Sequence, residues 1–523
     1  MTIAKLLATL SVGAAMALPL ATAQAQSTLR IAMTSADLPT TTGAPTQGLE
    51  GTRFAGYPVF EPLVMWDLRK AEGPVNIIPW LASEWRSDPA DRNKWTFKLR
   101  RDVKFHDGST FNADAVVWNL QRFYNDKAPQ FDPAAAAYQR SRASILSKWE
   151  KIDDYTIAIH TSAPTAYFPE IMAGILIASP TQWEKVGRDW AKFGQQPSGT
   201  GPFAFTQVTR TVLTMTRNDA YWNKERMAKV NRITLQAMPE PTTRMAALMS
   251  GEVDWIEAPA PDSIPVLERG GFKVTMSSFP HIWPYWLKID EGSPFKDVRV
   301  RQALNYAIDR EGLVTLLNGS AEPAFGFWKR NDPRFGKPKN QYRYDPTRAK
   351  ALLAEAGYPA GKPVKAKVMI TTAGSGQMLP LQMNELIQQK ARAAGFDLEF
   401  SVVDFAKMVA VRFNPSAPEM QGVVAMNSSF TTADMMWFYF SFYPKNWANY
   451  TDPAAVALMD KYRNTFEGDT TEVLARLHEK LVDDAPWAWI VHDRNPRAFS
   501  PKVKGYLPVQ SWFLDLTTIT VDK

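Results

Sequence analysis

The sequence predicts an α/β protein of more than one domain, and its length, composition and residue pattern each contribute to that prediction. The chain has 523 residues, which at roughly 100–200 residues per domain indicates several domains. Hydrophobic residues make up 45% of the chain and charged residues 22%, enough to form a substantial core. Short alternating strands and amphipathic helices are mixed throughout, and 38 prolines disfavour a long helical bundle.

Individual elements have local signals. Residues 95–99 and 155–160 alternate apolar and polar side chains, as half-buried strands do. Asn112 is a natural N-cap for the amphipathic segment that follows it. The apolar residues from Val300 to Ile308 recur at helical spacing and predict the clearest helix in the chain. Asp345 before Pro346 predicts a further helix start, with a capping carboxylate and a first-turn proline.

The first 25 residues have the pattern of a secretory signal. Lys5 is their only charge, the apolar stretch Leu6–Leu20 follows, and Ala23-Gln24-Ala25 matches a cleavage site. The apolar stretch is shorter than the ~20 residues that a membrane span needs. The chain has no cysteine, which excludes disulfides, thiolate metal sites and a Cys-linked lipid. We therefore expect cleavage after Ala25 and a soluble, monomeric protein in a Gram-negative periplasm.

The search for catalytic and metal motifs is negative. The sequence contains no G-x-S-x-G elbow, phosphate loop, G-x-G-x-x-G or H-E-x-x-H. None of the five histidines pairs with another at metal-ligand spacing, and His106-Asp107 precedes a glycine turn, which favours a structural role. The net charge of +7 is small for the length, and no Lys/Arg run indicates a nucleic-acid patch. We expect no catalytic residue, no metal, no cofactor and no nucleic-acid partner.

Six segments spread over the chain share a recognisable pattern. They are Pro79 to Trp85 with the strand and turn that end at Gly108; Gly199-Thr200-Gly201-Pro202-Phe203 with Tyr221-Trp222; Ala247 to Asp254; Asp297 to Arg310; Tyr344 to Pro359; and Pro501 to Tyr506. Together, and in this order, they resemble the large periplasmic solute-binding proteins of ABC importers, solute-binding protein family 5. This group includes dipeptide, oligopeptide, glutathione and nickel binders. Within the second segment, Gly199 and Gly201 are expected to supply free backbone angles at a strand entry.

The resemblance implies a two-lobed clamp, the periplasmic-binding-protein fold, with an extra subdomain and a two-strand hinge. Lobe one would be discontinuous and comprise residues 26–72, 198–284 and 496–523, with residues 73–197 as its extra subdomain. Lobe two would comprise residues 285–495. A small-molecule ligand would lie between the lobes, closure would bury it, and the closed form would dock on an ABC-transporter permease in the inner membrane. No bond would be made or broken.

By the same resemblance, cleft-facing segments predict the ligand site. The candidate ligand-binding residues are Thr34, Ser35, Arg53, Trp283, Tyr285, Trp286, Ser428, Ser429, Phe430, Asp434 and Trp437. The Arg53 guanidinium could offer a two-pronged hydrogen bond to a carboxylate or phosphate, the alternative being a surface arginine. The aromatics of the 283–286 stretch suit a sandwich around an organic ligand, although alternate members of a strand can equally pack in a core.

The chain departs from the pattern of dipeptide-binding relatives at two positions. Those relatives hold the ligand ammonium with an Asp where this chain has Ser429, and the ligand carboxylate with an Arg where residues 372–377 contain no basic residue. A hydroxyl supplies no charge for the ammonium. We therefore expect an anionic or polar organic solute, peptide-like, opine-like or a sugar acid, to bind better than free dipeptides. A register shift of a few residues would instead leave Asp434 as the ammonium partner.

Two alternative functions remain open from the sequence. One is an exported hydrolase on an unrelated α/β fold, for which no nucleophile motif is present. The other keeps the binding fold but serves as a chemosensory solute receptor, which sequence cannot separate from transport. Permease and ATPase genes beside this one would favour transport.

Overall fold

The structure is a computed structural model that describes residues 27–34, 39–44, 52–71, 76–277, 281–372, 379–412, 414–431, 435–511 and 513–522. The side chains of Ser141, Arg142, Ala406, Val409 and Phe430 are not described. The predicted signal segment and cleavage site, and the candidates Ser35 and Asp434, lie outside the described residues.

The strands are short and run through the whole chain. They are β1 Thr28–Met33, β2 Val64–Trp66, β3 Ile77–Pro79, β4 Ala82–Ser87, β5 Lys94–Leu99, β6 Leu146–Asp153, β7 Thr156–Thr161, β8 Phe203–Val208, β9 Val212–Arg217, β10 Arg232–Ala237, β11 Trp255–Glu257, β12 Lys273–Thr275, β13 His281–Leu287, β14 Ala321–Pro323, β15 Val364–Thr371, β16 Phe396–Val403, β17 Val423–Asn427, β18 Phe430–Thr431, β19 Trp487–Asp493, β20 Arg497–Phe499, β21 Val503–Lys504 and β22 Thr520–Val521.

Helices alternate with these strands. They are α1 Gly56–Val59, α2 Ala113–Tyr124, α3 Pro133–Arg142, α4 Phe168–Met172, α5 Pro180–Lys185, α6 Trp190–Gln195, α7 Pro241–Ser250, α8 Ile264–Arg269, α9 Val298–Ala307, α10 Arg310–Leu316, α11 Pro346–Glu355, α12 Pro380–Ala394, α13 Phe405–Val411, α14 Met435–Phe442, α15 Pro453–Arg463 and α16 Thr471–Asp484.

The described strands form two large mixed sheets, a four-stranded antiparallel sheet and two two-stranded sheets, β2-β3 and β21-β22. The first sheet has the order β12-β20-β11-β1-β10-β9-β8, with β1 parallel to both of its neighbours. The second sheet has the order β14-β19-β13-β17-β15-β16, with β18 also paired to β13. The third sheet, β4-β5-β7-β6, is four-stranded. This mixture of helices with two separate large sheets confirms the predicted α/β class.

The two faces of the second sheet pack into different cores. One face meets helices α9 to α12 in a core that lies within the second-sheet region and includes Leu287, Leu304 and Ile387; we call it the second-sheet core. The opposite face contributes Trp286 and other residues to a larger core that continues through the first and four-stranded sheets. We call this larger one the shared core. On this second face, Trp487 packs against Phe327 and Phe442, which belong to the second-sheet region as well.

The local predictions made from capping and periodicity are confirmed. Asn112 caps α2 by accepting a hydrogen bond from the Ala115 backbone N–H, and Asp345 caps α11 in the same way. The helix predicted from Val300 to Ile308 is α9, in which Ile308 is the first residue after the last turn. The two alternating stretches are β5 and β7, paired antiparallel.

Two of the six segments that carry the family resemblance converge on one buried carboxylate, Glu61. Its two oxygens accept hydrogen bonds from Trp80 Nε1 and the Tyr221 hydroxyl, both at 2.6 Å, and from Trp222 Nε1 and the Thr200 hydroxyl, both at 2.8 Å. Burial raises the pKa of Glu61, and these four donors oppose that rise. The motif residues thus tie the four-stranded region to the first sheet.

The expectation that Gly199 and Gly201 supply free backbone angles is wrong. Neither residue has a φ in the left-handed region. A Cβ atom at Gly199 would instead lie 2.1 Å from the Val59 carbonyl oxygen, and one at Gly201 would lie 2.5 Å from the Pro58 carbonyl oxygen. Glycine is required here because two backbones approach each other too closely for any side chain.

Candidate functional site

Two short crossings join the first and second sheets. The chain leaves β12 at Thr275 and enters β13 at His281, and it leaves β19 at Asp493 and enters β20 at Arg497. The side chains of His281 and Asp493 hydrogen-bond to each other, which ties the two crossings together where they meet the second sheet. Burial raises the pKa of Asp493, an effect that its imidazole partner opposes.

A buried ion cluster of Arg53, Glu257 and Arg497 lies at the first-sheet end of the second crossing. Arg53 Nη1 donates to Glu257 Oε2 at 2.9 Å, and Arg497 Nε donates to Glu257 Oε1 at 2.6 Å. Trp255 Nε1 donates to the same Oε1 at 2.8 Å. The amide oxygen of Asn495, oriented toward the guanidinium groups, accepts from Arg497 Nη2 at 3.1 Å and Arg53 Nη1 at 3.3 Å. The crossing residue Asn495 is therefore held by the cluster.

The pKa of Glu257 reflects its two cationic partners. Burial disfavours the ionised form of Glu257, but Arg497 and Arg53 outweigh burial and lower the pKa of its carboxyl. Both guanidinium groups pair with this carboxylate. Arg53 also opposes the rise in the pKa of Asp493 on the other side of the crossing. Arg53 is 1% exposed and held by protein groups; a contact between it and a solute stays a prediction.

The aromatic candidates on β13 point in opposite directions. Trp283 and Tyr285 lie in the second-sheet core, where the Tyr285 hydroxyl donates to the side chain of Asn384. Trp286 lies on the opposite face, in the shared core, and stacks on Trp487 with ring centroids 5.6 Å apart and an interplanar angle of 2°. Trp447 is also a ring neighbour of Trp286, with centroids 6.0 Å apart, so these aromatics of the second-sheet region pack against one another.

The remaining candidates occupy the ends of strands and one helix. Thr34 follows β1 and is half-buried. Ser428 is buried and Ser429 half-buried, both between β17 and β18, and Phe430 pairs with β13 through its backbone. Trp437 lies in α14, with its ring centroid 6.3 Å from that of Tyr138 in α3. The structure thus places Trp437 at a contact between the second-sheet region and the helices beside the four-stranded sheet.

Further aromatic contacts join these two regions. The ring of Tyr439 in α14 lies 4.7 Å from that of Tyr167. Phe466, which follows α15, has its ring 5.9 Å from Trp95 of β5 and beneath the Arg92 guanidinium at 4.8 Å. The segment between β18 and β19 is therefore packed against the four-stranded region, at a distance in sequence from both crossings. We call this set of contacts the aromatic closure.

Most of the buried polar residues at the crossings are absent from the site candidates predicted from the sequence. Glu257, Arg497, His281 and Asp493 are each at most 3% exposed. A charged residue inside a short apolar strand is the signal that could have found Glu257, which ends Trp255-Ile256-Glu257. Such a signal identifies a buried charge but does not name its partner.

Among the described residues, no group of three or more His, Cys, Asp or Glu side chains is arranged to hold a metal ion. In that same part of the chain, no helix combines the length and the apolar character needed to cross a bilayer.

A match to a known protein family identifies the family of this chain. Residues 76–465 match the family described as "Bacterial extracellular solute-binding proteins, family 5 Middle". The chain belongs to solute-binding protein family 5. This membership, predicted from the six segments, is confirmed.

Two relatives of this chain are named for different ligands. The chain is 28% identical to the glutathione-binding protein GsiB of Pectobacterium atrosepticum over 435 residues, covering 80% of each protein. It is also 28% identical to heme-binding protein A of Haemophilus influenzae over 516 residues, covering 89% of this chain and 87% of that one. Similarity of this degree to two such different binders does not single out one ligand.

A solved structure of the family supports the fold. The periplasmic binding protein DppA of Helicobacter pylori, in complex with the peptide STSA, superposes with a TM-score of 0.81 at 21% identity, covering 95% of this chain and 99% of that one. The two-lobed periplasmic-binding-protein fold that the sequence predicted is thereby confirmed.

Proposed function

We propose that this protein is the periplasmic solute-binding component of an ABC importer. It captures a small organic solute, a peptide-like or amino-acid-derived compound, between two lobes and delivers it to a membrane permease. One observation supports this proposal above the others. The chain belongs to family 5, and its two large sheets are joined by two short crossings that hydrogen-bond to each other through His281 and Asp493. The relatives above are solute-binding proteins rather than enzymes, which supports a role without chemical turnover.

The proposed lobes follow the sheets. Lobe one comprises residues 26–72, 198–284 and 496–523 around the first sheet, with residues 73–197 as an extra subdomain around the four-stranded sheet. Lobe two comprises residues 285–495 around the second sheet. The two crossings act as the hinge, and the aromatic closure forms when the lobes meet. A solute favours closure to the extent that it binds the closed form better than the open form.

The sequence supports an anionic or polar group on the solute. Ser429 stands where dipeptide-binding relatives hold the ligand ammonium with an Asp, and a hydroxyl supplies no charge for an ammonium. Peptides, glutathione and amino-acid conjugates all carry carboxylates. We therefore place a carboxylate-bearing solute ahead of a bare metal ion. The protein acts as a soluble periplasmic monomer after removal of residues 1–25.

A binding screen tests this proposal. The mature chain is heated alone and with glutathione, trialanine, dialanine, heme or Ni²⁺, and the binding probe is confirmed by calorimetry. Ligand binding to the folded state alone stabilises it by about 2.7 kcal/mol at a hundredfold excess over Kd. We expect stabilisation by glutathione or trialanine, and a smaller radius of gyration by small-angle scattering when the probe is bound. Stabilisation by heme or Ni²⁺ alone would refute the solute class, and an unchanged radius with a bound probe would refute the clamp.

A further inference from the structure

The chain around the start of α4 contacts the second-sheet region at three points. The Ala166 backbone N–H donates to the Arg463 carbonyl oxygen at 2.8 Å. The Glu170 side chain accepts from the Met435 backbone N–H at 3.3 Å. Between these two bonds, the Tyr167 ring lies against two rings of α14 and α15. These contacts join the proposed extra subdomain of lobe one to proposed lobe two.

Tyr167 is the central residue of this contact. Its ring centroid lies 4.7 Å from that of Tyr439 in α14 and 6.0 Å from that of Tyr462 in α15. The rings of Tyr439 and Tyr462 are themselves 6.4 Å apart, so one ring from lobe one meets two rings from lobe two in a single cluster. Aromatic rings at centroid separations of about 4.5–7 Å attract each other beyond the effect of area burial.

Each side of the cluster is anchored in its own sheet. Next to Tyr167, Phe168 is fully buried, and its ring lies 5.9 Å from that of Trp95 on β5. On the other side, Phe442 of α14 has its ring 4.7 Å from that of Trp487 on β19. The cluster therefore connects the four-stranded sheet to the second sheet through packed side chains.

The aromatic closure is separate from both crossings along the chain. The crossings end at residues 281 and 497, whereas the closure is built from residues between 92 and 167 and between 437 and 466. Each of its contacts joins one protein group to another, so the contacts form whenever the lobes meet. Their contribution to closure is therefore the same whichever solute is bound.

The aromatic closure is incompletely packed. A cavity of about 860 Å³ lies beside it, lined by Trp85 and Arg92 on one side and by Phe466 and Glu467 on the other. Arg92 lies 3.8 Å from Glu467, whose side chain is 88% exposed, and an exposed pair of this kind contributes little. Contacts between domains that are partly polar permit relative motion. The aromatic closure therefore favours the closed arrangement without fixing it.

We propose that the aromatic closure is a latch that stabilises the closed lobes without contacting the solute, and that Tyr167 is its affinity-determining residue. This proposal rests on the proposed function, because it requires two lobes that separate at the crossings. When only a fraction of the protein is in the closed, binding-competent form, the apparent Kd is the intrinsic Kd divided by that fraction. A weaker latch lowers the fraction and therefore weakens the binding of every solute by the same factor.

Calorimetry of the full mature chain with glutathione and with trialanine tests this common factor. Tyr167→Ala removes two ring contacts, so the Kd of both probes should rise about three- to thirtyfold, by equal factors. Tyr167→Phe keeps the ring and should recover most of the loss. An unchanged Kd would show that Tyr167 has only a structural role, and a Kd that rises for one probe alone would make it a solute contact; either result overturns the proposal.

The matched control is Tyr306→Ala. Tyr306 pairs with Tyr342 inside the second-sheet region, with ring centroids 5.1 Å apart, and its hydroxyl donates to the Asn340 side chain at 3.2 Å. Its loss should lower the urea midpoint while the Kd stays at the wild-type value. A rise in Kd for Tyr306→Ala equal to that for Tyr167→Ala would show that affinity follows general stability, which would overturn the proposal.

Small-angle scattering of the ligand-free proteins decides without reference to a probe. The radius of gyration of Tyr167→Ala should exceed that of the wild type and of Tyr306→Ala. Equal radii for Tyr167→Ala and the wild type overturn the latch while leaving the proposed function intact. If the wild type binds only one probe, this comparison takes the place of the second. If it binds neither, the proposed solute class is wrong, and the ligand-free radii still decide whether Tyr167 is part of a latch.

Discussion

Glu257→Gln is the substitution for which the structure predicts the largest loss of stability. The change keeps the size of the side chain but removes the charge that Arg53 and Arg497 share. Every partner of both carboxylate oxygens is a donor, so the new amide nitrogen would face a guanidinium or the Trp255 indole in either orientation. Removing one partner of a buried ion pair costs about 3–5 kcal/mol. Because two buried guanidinium groups each lose a charged partner here, we expect a value in the upper part of that range.

The loss is measured by urea unfolding of the ligand-free protein at pH 7, followed by circular dichroism. A lower midpoint with an unchanged slope reports a change in stability alone. The matched control is Glu184→Gln, because Glu184 pairs with Arg188 at 2.7 Å while their side chains are 50% and 62% exposed. An exposed pair of this kind contributes about 0–1 kcal/mol. A loss below about 1 kcal/mol for Glu257→Gln would show that the cluster is not the buried ion pair described here.

Three further predictions follow from the described contacts. Phe466→Ala removes a ring from the aromatic closure, so small-angle scattering of the ligand-free variant should give a larger radius of gyration than the wild type. Burial lowers the pKa values of His106 and His478 to about 4, from 6.5 when unfolded, so the unfolded chain takes up protons first. Stability should therefore fall from pH 6.5 toward pH 4, by up to about 1.4 kcal/mol per pH unit for each histidine, and a flat profile would contradict this. Gly199→Ala should melt far below Gly270→Ala, whose added Cβ would meet no atom closer than 3.3 Å.

Local structure could be predicted from the sequence because its causes are local. The N-cap of α2 and the Asp-Pro start of α11 each depend on atoms within one helical turn. The alternation of β5 and β7 likewise records which face of each strand is buried. These signals require no knowledge of distant residues.

The buried ion cluster could not be predicted in this way. Glu257 bonds to Arg53 across 204 positions of sequence and to Arg497 across 240. A single sequence shows that each charge exists but not which charge it meets. The same limit applies to β13: alternation places Trp283 and Tyr285 on one face and Trp286 on the other, yet only the packed sheet shows which core each face joins.

The residues that identify the family differ from the residues that determine which solute binds. This difference has a physical reason. Four motif residues donate side-chain hydrogen bonds to Glu61 inside the scaffold: Trp80, Thr200, Tyr221 and Trp222. These donors are used by the fold itself. A residue that binds a solute must keep bonding capacity that the fold itself does not use. Recognition of the family therefore carries little information about the ligand.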